Sequence, residues 1–362
     1  MINFDFDRLR AIGLTEELAR RAHAADDGSS TALALLRVSA IHRETVDLHD
    51  GDDARPARVL PRLWRSGVDW GRELAVGDWV LAALDPGGDA WVQERVEPVS
   101  RIVRRDGDGS RHSVVSNVDL ALIVMGLDDD FNLRRLERYL ALVHAGGVRP
   151  VVVLSKADIA AADPARRDER VARLRSRLGP ALELMIVDAT DAQTAAAFAH
   201  VTGLGRTLVV LGSSGAGKST LTNTLLGAGV QDTGPVRAHD SRGMHTTTAR
   251  SLHRLPGGAC IIDTPGLRTL RPDADESTLV ASFGDVASLA ARCRFRDCSH
   301  GGEPGCAVRD GVDPDRLNNF QKMLRETRRD NLSWVERRQQ LATWKSRGKE
   351  ARERMRLKRG ES

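Results

Sequence analysis

The sequence predicts a multidomain chain: a small all-β barrel, then a doubly wound α/β domain, then an α-rich metal-binding segment. Three observations carry this. Short β-like pieces separated by "DGDD" and "DPGG" turns occupy residues 31–100, the spacing of a small barrel. From about residue 113, buried-strand runs alternate with helical stretches, which implies a largely parallel sheet. Three of the four cysteines then fall between Cys293 and Cys306, among turn formers that break the α/β pattern.

Taken in order, residues 1–30 form a helical arm with Leu9, Ile12, Leu14 and Leu18 set among charges. Residues 31–105 are the barrel, with "ARVLPRLW", "GDWVLAAL" and "AWVQERVEPV" as strand-like pieces. Trp64, Trp70, Trp79 and Trp91 all lie here, and filling a small core is their expected role. Stacking on bases beside Arg58, Arg62 and Arg65 is the alternative. Residues 113–275 hold the strand runs "LALIVMGL", "PVVVLSKAD", "ELMIVDAT", "TLVVLGSS" and "ACIIDTPG". Helical stretches "NLRRLERYLALVHAG" and "DERVARLRSRLG" lie between several of them. Residues 276–362 contain the cysteine cluster and charge-laced helical sequence. From Lys345 to Ser362, eight Lys/Arg face three Glu, a larger excess than the +4 of the whole chain. Such an arm suits a polyanion such as RNA, and a solvated helix end fits it too.

At 41% hydrophobic and 29% charged, the composition is that of a soluble globular protein. No apolar run approaches the ~18 residues needed to span a bilayer. The start, "MINFDFDRLR", is acidic where a signal peptide would be basic and then apolar. A cytoplasmic protein with no membrane partner is the expectation. Clustered cysteines in that compartment indicate metal, not disulfides. Cys260, apart in "ACIID", reads as a buried strand residue.

Gly212-Ser213-Ser214-Gly215-Ala216-Gly217-Lys218-Ser219, followed by Thr220, fits G-x-x-x-x-G-K-S between a strand and a helix. That context is what a phosphate-binding loop requires. Its glycines let backbone N–H groups turn onto phosphate oxygens, and the helix dipole adds attraction. Lys218 is the expected β/γ-phosphate ligand and Ser219 a Mg²⁺ ligand. "DTPG" follows the strand "ACII", so Asp263 can support Mg²⁺ and the Gly266 N–H can meet a γ-phosphate. Between the two, Thr246, Thr247 and Thr248 of "RGMHTTTAR" offer a hydroxyl to the same ion from a switch loop. The base-reading element lies upstream. Ser155-Lys156-Ala157-Asp158 ends a strand, and a carboxylate at Asp158 can accept both guanine N1–H and the N2 amine. Lys156 would run along the base, and "VDATD" (187–191) could reach the guanine oxygen. The order along the chain is base, base, phosphate, switch, switch.

Cys293, Cys298, His300 and Cys306 supply three thiolates and one imidazole, a closed tetrahedral zinc set with no open position. One structural zinc per chain is expected.

These residues resemble the circularly permuted GTPases of the RsgA (YjeQ) type. "GSSGAGKST", "GMHTTT", "DTPG", "CRFRDCSHGGEPGCAV", the domain-entry stretch "SNVDLALIV" and the permuted order carry the resemblance, which covers essentially the whole chain. It implies an OB-fold barrel, a circularly permuted P-loop GTPase domain and a C-terminal zinc domain. It further implies a monomeric late assembly factor that binds the small ribosomal subunit, touches its rRNA and hydrolyses GTP with Mg²⁺ when stimulated by the subunit. Leu267 follows the D-x-x-G where Ras-like GTPases place a water-orienting Gln. The resemblance makes His245 the candidate catalytic residue in its stead. One departure is Ser155, where the family has Asn; a hydroxyl cannot both tether the phosphate loop and contact the base. Residues 97–117 also depart from the family's usual linker.

Two other functions fit parts of the sequence. One is a GTP-dependent RNA-binding module with incidental hydrolysis. The other is a P-loop ATPase or small-molecule kinase with a zinc staple, which Asp158 opposes.

Overall fold

The computed structural model describes residues 2–26, 28, 32–64, 73–85, 89–106, 109–227, 250–267 and 270–331. The chain divides into two compact units, Met1–Asp273 and Ala274–Ser362.

The first unit opens with α1 (Phe6–Arg10) and α2 (Glu16–Ala25), capped by Asp5 and Thr15. Leu9, Ile12, Leu14 and Leu18 are all buried, in the same core as residues of the α/β sheet. The predicted arm is thus part of the fold's interior. Five strands follow: β1 (Leu33–Ile41), β2 (Thr45–His49), β3 (Ala54–Val59), β4 (Trp79–Leu84) and β5 (Ala90–Arg95). They pair in the order β1-β2-β3-β5-β4, and β4 returns to β1 to close a barrel. The expected strand "ARVLPRLW" stops at Val59, because Pro61 has no N–H for a ladder and instead starts a short helix, α3 (Pro61–Trp64).

The barrel interior is aliphatic, with Leu36, Val38, Val46, Leu48, Val80 and Val92 at its centre. This corrects the expectation for the tryptophans. Strand alternation turns Trp79 away from the barrel centre and into the core shared with the α/β sheet. Trp91 is half-buried beneath Arg58, 5.4 Å from guanidinium carbon to ring centroid. Trp70, Arg65 and the Trp64 side chain lie outside the described residues.

A hairpin of β6 (Arg101–Arg105) and β7 (Arg111–Ser116) leads to the α/β sheet. Its strands and helices are β8 (Leu120–Gly126), α4 (Leu133–Ala145), β9 (Arg149–Ser155), α5 (Ala157–Ala160), α6 (Pro164–Leu178), β10 (Leu184–Ile186), α7 (Thr194–Ala197), β11 (Thr207–Gly212), α8 (Lys218–Leu226), β12 (Ser251–Arg254) and β13 (Cys260–Asp263). The sheet order is β10-β9-β8-β11-β13-β12, parallel except for β12. All the predicted strand runs are present, and Cys260 is fully buried in β13 as expected. From β8 the chain steps outward to β9 and β10, then returns to β11 on the other side of β8. Adjacent strands that diverge in this way open a crevice at their carboxyl ends, where doubly wound sheets bind ligands.

β12 also pairs with β1 at Ala40 and Ser251, so barrel and sheet are continuous. Arg37 of β1 reinforces that junction. Fully buried, it donates to Thr207 Oγ1 at 2.9 Å, to the Asn117 carbonyl at 2.9 Å and to the Ile12 carbonyl. A buried guanidinium is tolerated where its donors are so satisfied.

The second unit contains α9 (Glu276–Ala281), α10 (Gly284–Ala290), α11 (Ala307–Gly311) and α12 (Pro314–Asp330). Phe283 and Phe320 pack at 5.1 Å, and Arg316 covers Phe283 while forking onto Asp285 with two 2.7 Å bonds. No helix among the described residues is long and apolar enough to cross a membrane.

Candidate functional site

Four strand ends meet at the crevice. β11 runs into loop 212–219, whose close approach to β8 requires glycine: a Cβ on Gly212 would stand 2.4 Å from the Val124 carbonyl oxygen. Gly215 and Gly217 turn the loop with φ of 79° and 91°, and Gly217 caps α8. Lys218 is buried and donates to the Ser213 carbonyl at 2.7 Å, folded back over its own loop. Burial pushes its ammonium pKa down, while Asp263 and Asp130 pull the other way. A phosphate oxygen offers this cation a stronger, charge-assisted partner than a carbonyl. Ser219 and Thr220 follow in the first turn of α8.

β9 ends at Ser155, which is fully buried. Its hydroxyl donates to the Ala216 carbonyl at 2.6 Å. Of the two tasks expected to strain a serine here, the tether to loop 212–219 is therefore made. Lys156 takes a left-handed turn with φ 60° and ψ 38° and donates to Asp128 Oδ2 at 2.6 Å. Burial would raise the Asp128 carboxyl, but the Lys156 ammonium and the loop's backbone N–H groups together leave the pKa below the ordinary value. Ala157 donates its N–H to the Val187 carbonyl at 3.2 Å, and Thr224 of α8 donates to the Ala189 carbonyl at 2.6 Å. The 187–191 loop is thus fastened to both neighbours. Asp158 is exposed in the first turn of α5.

Replacing Ser155 by Ala leaves the Ala216 carbonyl short of a buried donor. The expected result is a loss of about 1–3 kcal/mol in unfolding free energy, read by denaturant titration.

Asp263, with no exposed surface, ends β13, and Thr264 Oγ1 donates to the Val210 carbonyl at 2.7 Å. Gly266 lies against the phosphate loop, where a Cβ would come within 2.8 Å of Ser214 N. Leu267 is buried in the core, in keeping with a residue that orients no water. His245, Thr246, Thr247 and Thr248 lie outside the described residues.

Two features were missed from sequence. Asp128 and Asp130 on the loop after β8 touch Lys156 and Ser213, respectively. The β6–β7 hairpin holds the segment after Leu267: Arg105 and Arg111 both pair with Asp273, at 2.6 and 2.9 Å. "RDGDGS" between alternating residues is a hairpin signal that could have revealed it.

In the second unit, Cys293, Cys298, His300 and Cys306 place their ligand atoms within 4.8 Å of one another. Cys306 Sγ is 3.4 Å from His300 Nδ1 and 4.0 Å from Cys293 Sγ, and Cys293 Sγ is 3.7 Å from the same nitrogen. Those separations fit the edges of a tetrahedron built on Zn–S and Zn–N bonds of about 2.3 and 2.0 Å. The Val308 N–H, opposed by burial and aided by the Ala307 N–H, holds the Cys293 thiol below its usual range. Glu303 ties the knuckle by accepting from the N–H groups of Ser299, Gly301 and Gly302 at 2.9, 2.9 and 3.0 Å. Gln321 donates to the His300 carbonyl at 2.9 Å.

Known proteins resemble this chain in sequence and fold. The family model for the RsgA GTPase matches residues 95–272. A small ribosomal subunit biogenesis GTPase RsgA of Xanthomonas campestris pv. campestris (strain B100) is 44% identical over 296 residues, 79% of each chain. Its counterpart from Xylella fastidiosa (strain 9a5c) is 47% identical over 273 residues, 74% of this chain and 77% of the relative. Among solved structures, YjeQ from Thermotoga maritima superposes with a TM-score of 0.59 at 20% identity, covering 82% of this chain and 98% of that one. YloQ, described as a circularly permuted GTPase, gives 0.56 at 18% identity, covering 83% and 97%. With a crevice assembled in permuted order and relatives of this identity and coverage, the chain belongs to the RsgA GTPase family.

Proposed function

We propose that this chain is a GTPase that binds the small ribosomal subunit and its rRNA, assists a late step of subunit maturation, and hydrolyses GTP to GDP under stimulation by the subunit. The observation that carries it is the convergence of Ser155–Asp158, Gly212–Ser219 and Asp263–Gly266 on one crevice, in a chain of this family. The closed β1–β5 barrel supports an OB-fold reading, with residues 113–275 as the permuted GTPase domain and 276–362 as the zinc domain.

Each residue then has a role. Asp158 accepts the guanine edge, Lys156 lines the base, and Ser155 keeps the phosphate loop in register with both. Backbone N–H groups of 213–219 and the Lys218 ammonium bind the β- and γ-phosphates. Ser219, Asp263 and a threonine of 246–248 would hold Mg²⁺, which neutralises phosphate charge when bound. The Gly266 N–H donates to the γ-phosphate and so senses its loss. Leu267 supplies no group to orient water, so His245 is the residue assigned to the attacking water, and turnover without the subunit is slow. Cys293, Cys298, His300 and Cys306 hold a structural zinc. The protein acts as a cytoplasmic monomer.

The test is GTP turnover with and without purified small subunits. Stimulation by the subunit is expected, and equal rates refute the scheme. Lys218→Ala is expected to lower stimulated kcat/KM by about 10²–10³-fold, the usual loss when one preorganised donor to developing charge is removed. Co-sedimentation should favour the GTP state.

A further inference from the structure

The acidic loop leaving β8 touches both halves of the crevice. Asp128 Oδ2 accepts from Lys156 Nζ at 2.6 Å, and Asp130 Oδ1 accepts from Ser213 Oγ at 2.6 Å. The loop's backbone braces both carboxylates, since Asp130 N donates to Asp128 Oδ1 at 3.1 Å and Gly126 N to Asp130 Oδ2 at 3.1 Å. Gly126 makes the space. A Cβ there would stand 2.3 Å from Asp128 Oδ1 and 3.3 Å from Lys156 Cδ, so carboxylate and lysine stem fill the volume a side chain would need.

Lys156 is a long, flexible side chain leaving a left-handed turn, and ordering it costs rotamer entropy. The neighbouring Ser155 hydroxyl gives its one proton to the phosphate loop and has no second donor with which to restrain anything else. Among the described residues, Asp128 is the partner that holds the Lys156 ammonium.

We propose that Asp128 is a positioning residue for nucleotide binding: its carboxylate fixes Lys156 in advance of the base, and the 128–130 loop ties that lysine to the phosphate loop. The proposal rests on reading Ser155–Asp158 as the guanine-recognising turn. Lys156 and Asp128 keep 22% and 31% of their side-chain surface exposed, so solvent screens the pair and its effect is moderate.

The experiment measures binding of fluorescent GDP to the full-length chain and to D128N, D128E, K156M and the double variant D128N/K156M. D128N is expected to weaken GDP by about fivefold, the upper end for a partly exposed ion pair, and D128E to restore most of it. In the K156M background, D128N should have no further effect. Inosine diphosphate, which lacks the 2-amino group, should weaken in parallel, so the ratio of the two affinities stays at the wild-type value. Equal losses from D128N in both backgrounds would make Asp128 merely structural and overturn the proposal. D128N binding as tightly as wild type, or more tightly, overturns it as well; tighter binding would make the pair a lock the nucleotide has to break. If K156M alone leaves GDP binding unchanged, the guanine-turn reading falls together with the clamp. A weakened K156M beside an unaffected D128N removes the clamp alone. D128N keeps the size of the side chain on a half-exposed loop, and its thermal transition is compared with wild type to verify folding.

Discussion

Removing the metal from the Cys293–Cys306 loop should abolish cooperative unfolding of the C-terminal unit. That unit, Ala274–Ser362, is small, and small domains bury too little surface to be robust alone. All four cysteines are free thiols, so no disulfide substitutes. The apolar core rests on a few residues, among them Leu279, Phe283, Val286, Val308, Leu317, Phe320 and Met323. Cys306 is both a ligand and a structural joint, since its Sγ accepts the Arg309 N–H at 3.5 Å at the start of α11. Structural zinc contributes about 10–16 kcal/mol of apparent free energy at neutral pH in small domains, more than this core can replace. Chelation, or Cys306→Ala, is therefore expected to eliminate the helical signal of α9–α12 in thermal scans followed by circular dichroism. Cys260→Ala should leave metal content unchanged, because that thiol is buried in β13 and is not among the four clustered ligand residues. An unaltered C-terminal transition after complete metal removal would exclude a structural metal there. Acid should act in the same direction, since protonated thiols do not ligate.

Legibility in the sequence followed how much each feature depends on local rules. β8, β9, β11 and β13 are fully or nearly fully buried, so they stand out as continuous apolar runs. The turn geometry of loop 212–219 was legible because glycines at fixed spacing answer to backbone geometry, which Gly212 and Gly217 display. The Cys293, Cys298, His300 and Cys306 cluster was legible because a metal shell dictates residue type and short spacing together.

Features that depend on long-range placement were not legible. Whether a barrel tryptophan faces inward depends on register, and Trp79 and Trp91 both turn outward from the barrel centre. The Asp128-Asp129-Asp130 run reads as a solvated turn until the sheet places it 2.6 Å from Lys156 and Ser213. Arg105 and Arg111 lie more than 160 positions from Asp273 along the chain, and no short pattern joins them to it. Ser155 lies between these cases. Its type announced a lost amide, and only its 2.6 Å bond to Ala216 tells which of the two tasks survived.

That survival sharpens the prediction for Asp158. With the tether intact at Ser155, the proposed recognition of the guanine edge falls on Asp158. Its carboxylate is exposed and lies in the first turn of α5, clear of the buried core. Substitution at an exposed site of this kind changes stability by about 0.5 kcal/mol or less, so the effect of Asp158→Asn should fall almost wholly on the base. A carboxylate accepts two hydrogen bonds side by side, and guanine supplies two donors, N1–H and the 2-amine. An amide accepts one and presents a donor to the other, leaving two donors facing each other in a desolvated site. Sites built around a specific polar pairing reject the mismatched partner by about 10³-fold or more, and a loss of that order is expected for GDP and GTP. Xanthine carries a carbonyl where guanine has the amine, which is the acceptor the new amide needs. The variant should therefore bind XDP in preference to GDP and hydrolyse XTP when small subunits are added, with its thermal transition unchanged. Retention of GDP affinity by Asp158→Asn would remove Asp158 from base recognition. Loss of GDP without any gain of XDP would point to a disturbed turn instead of a reversed hydrogen bond.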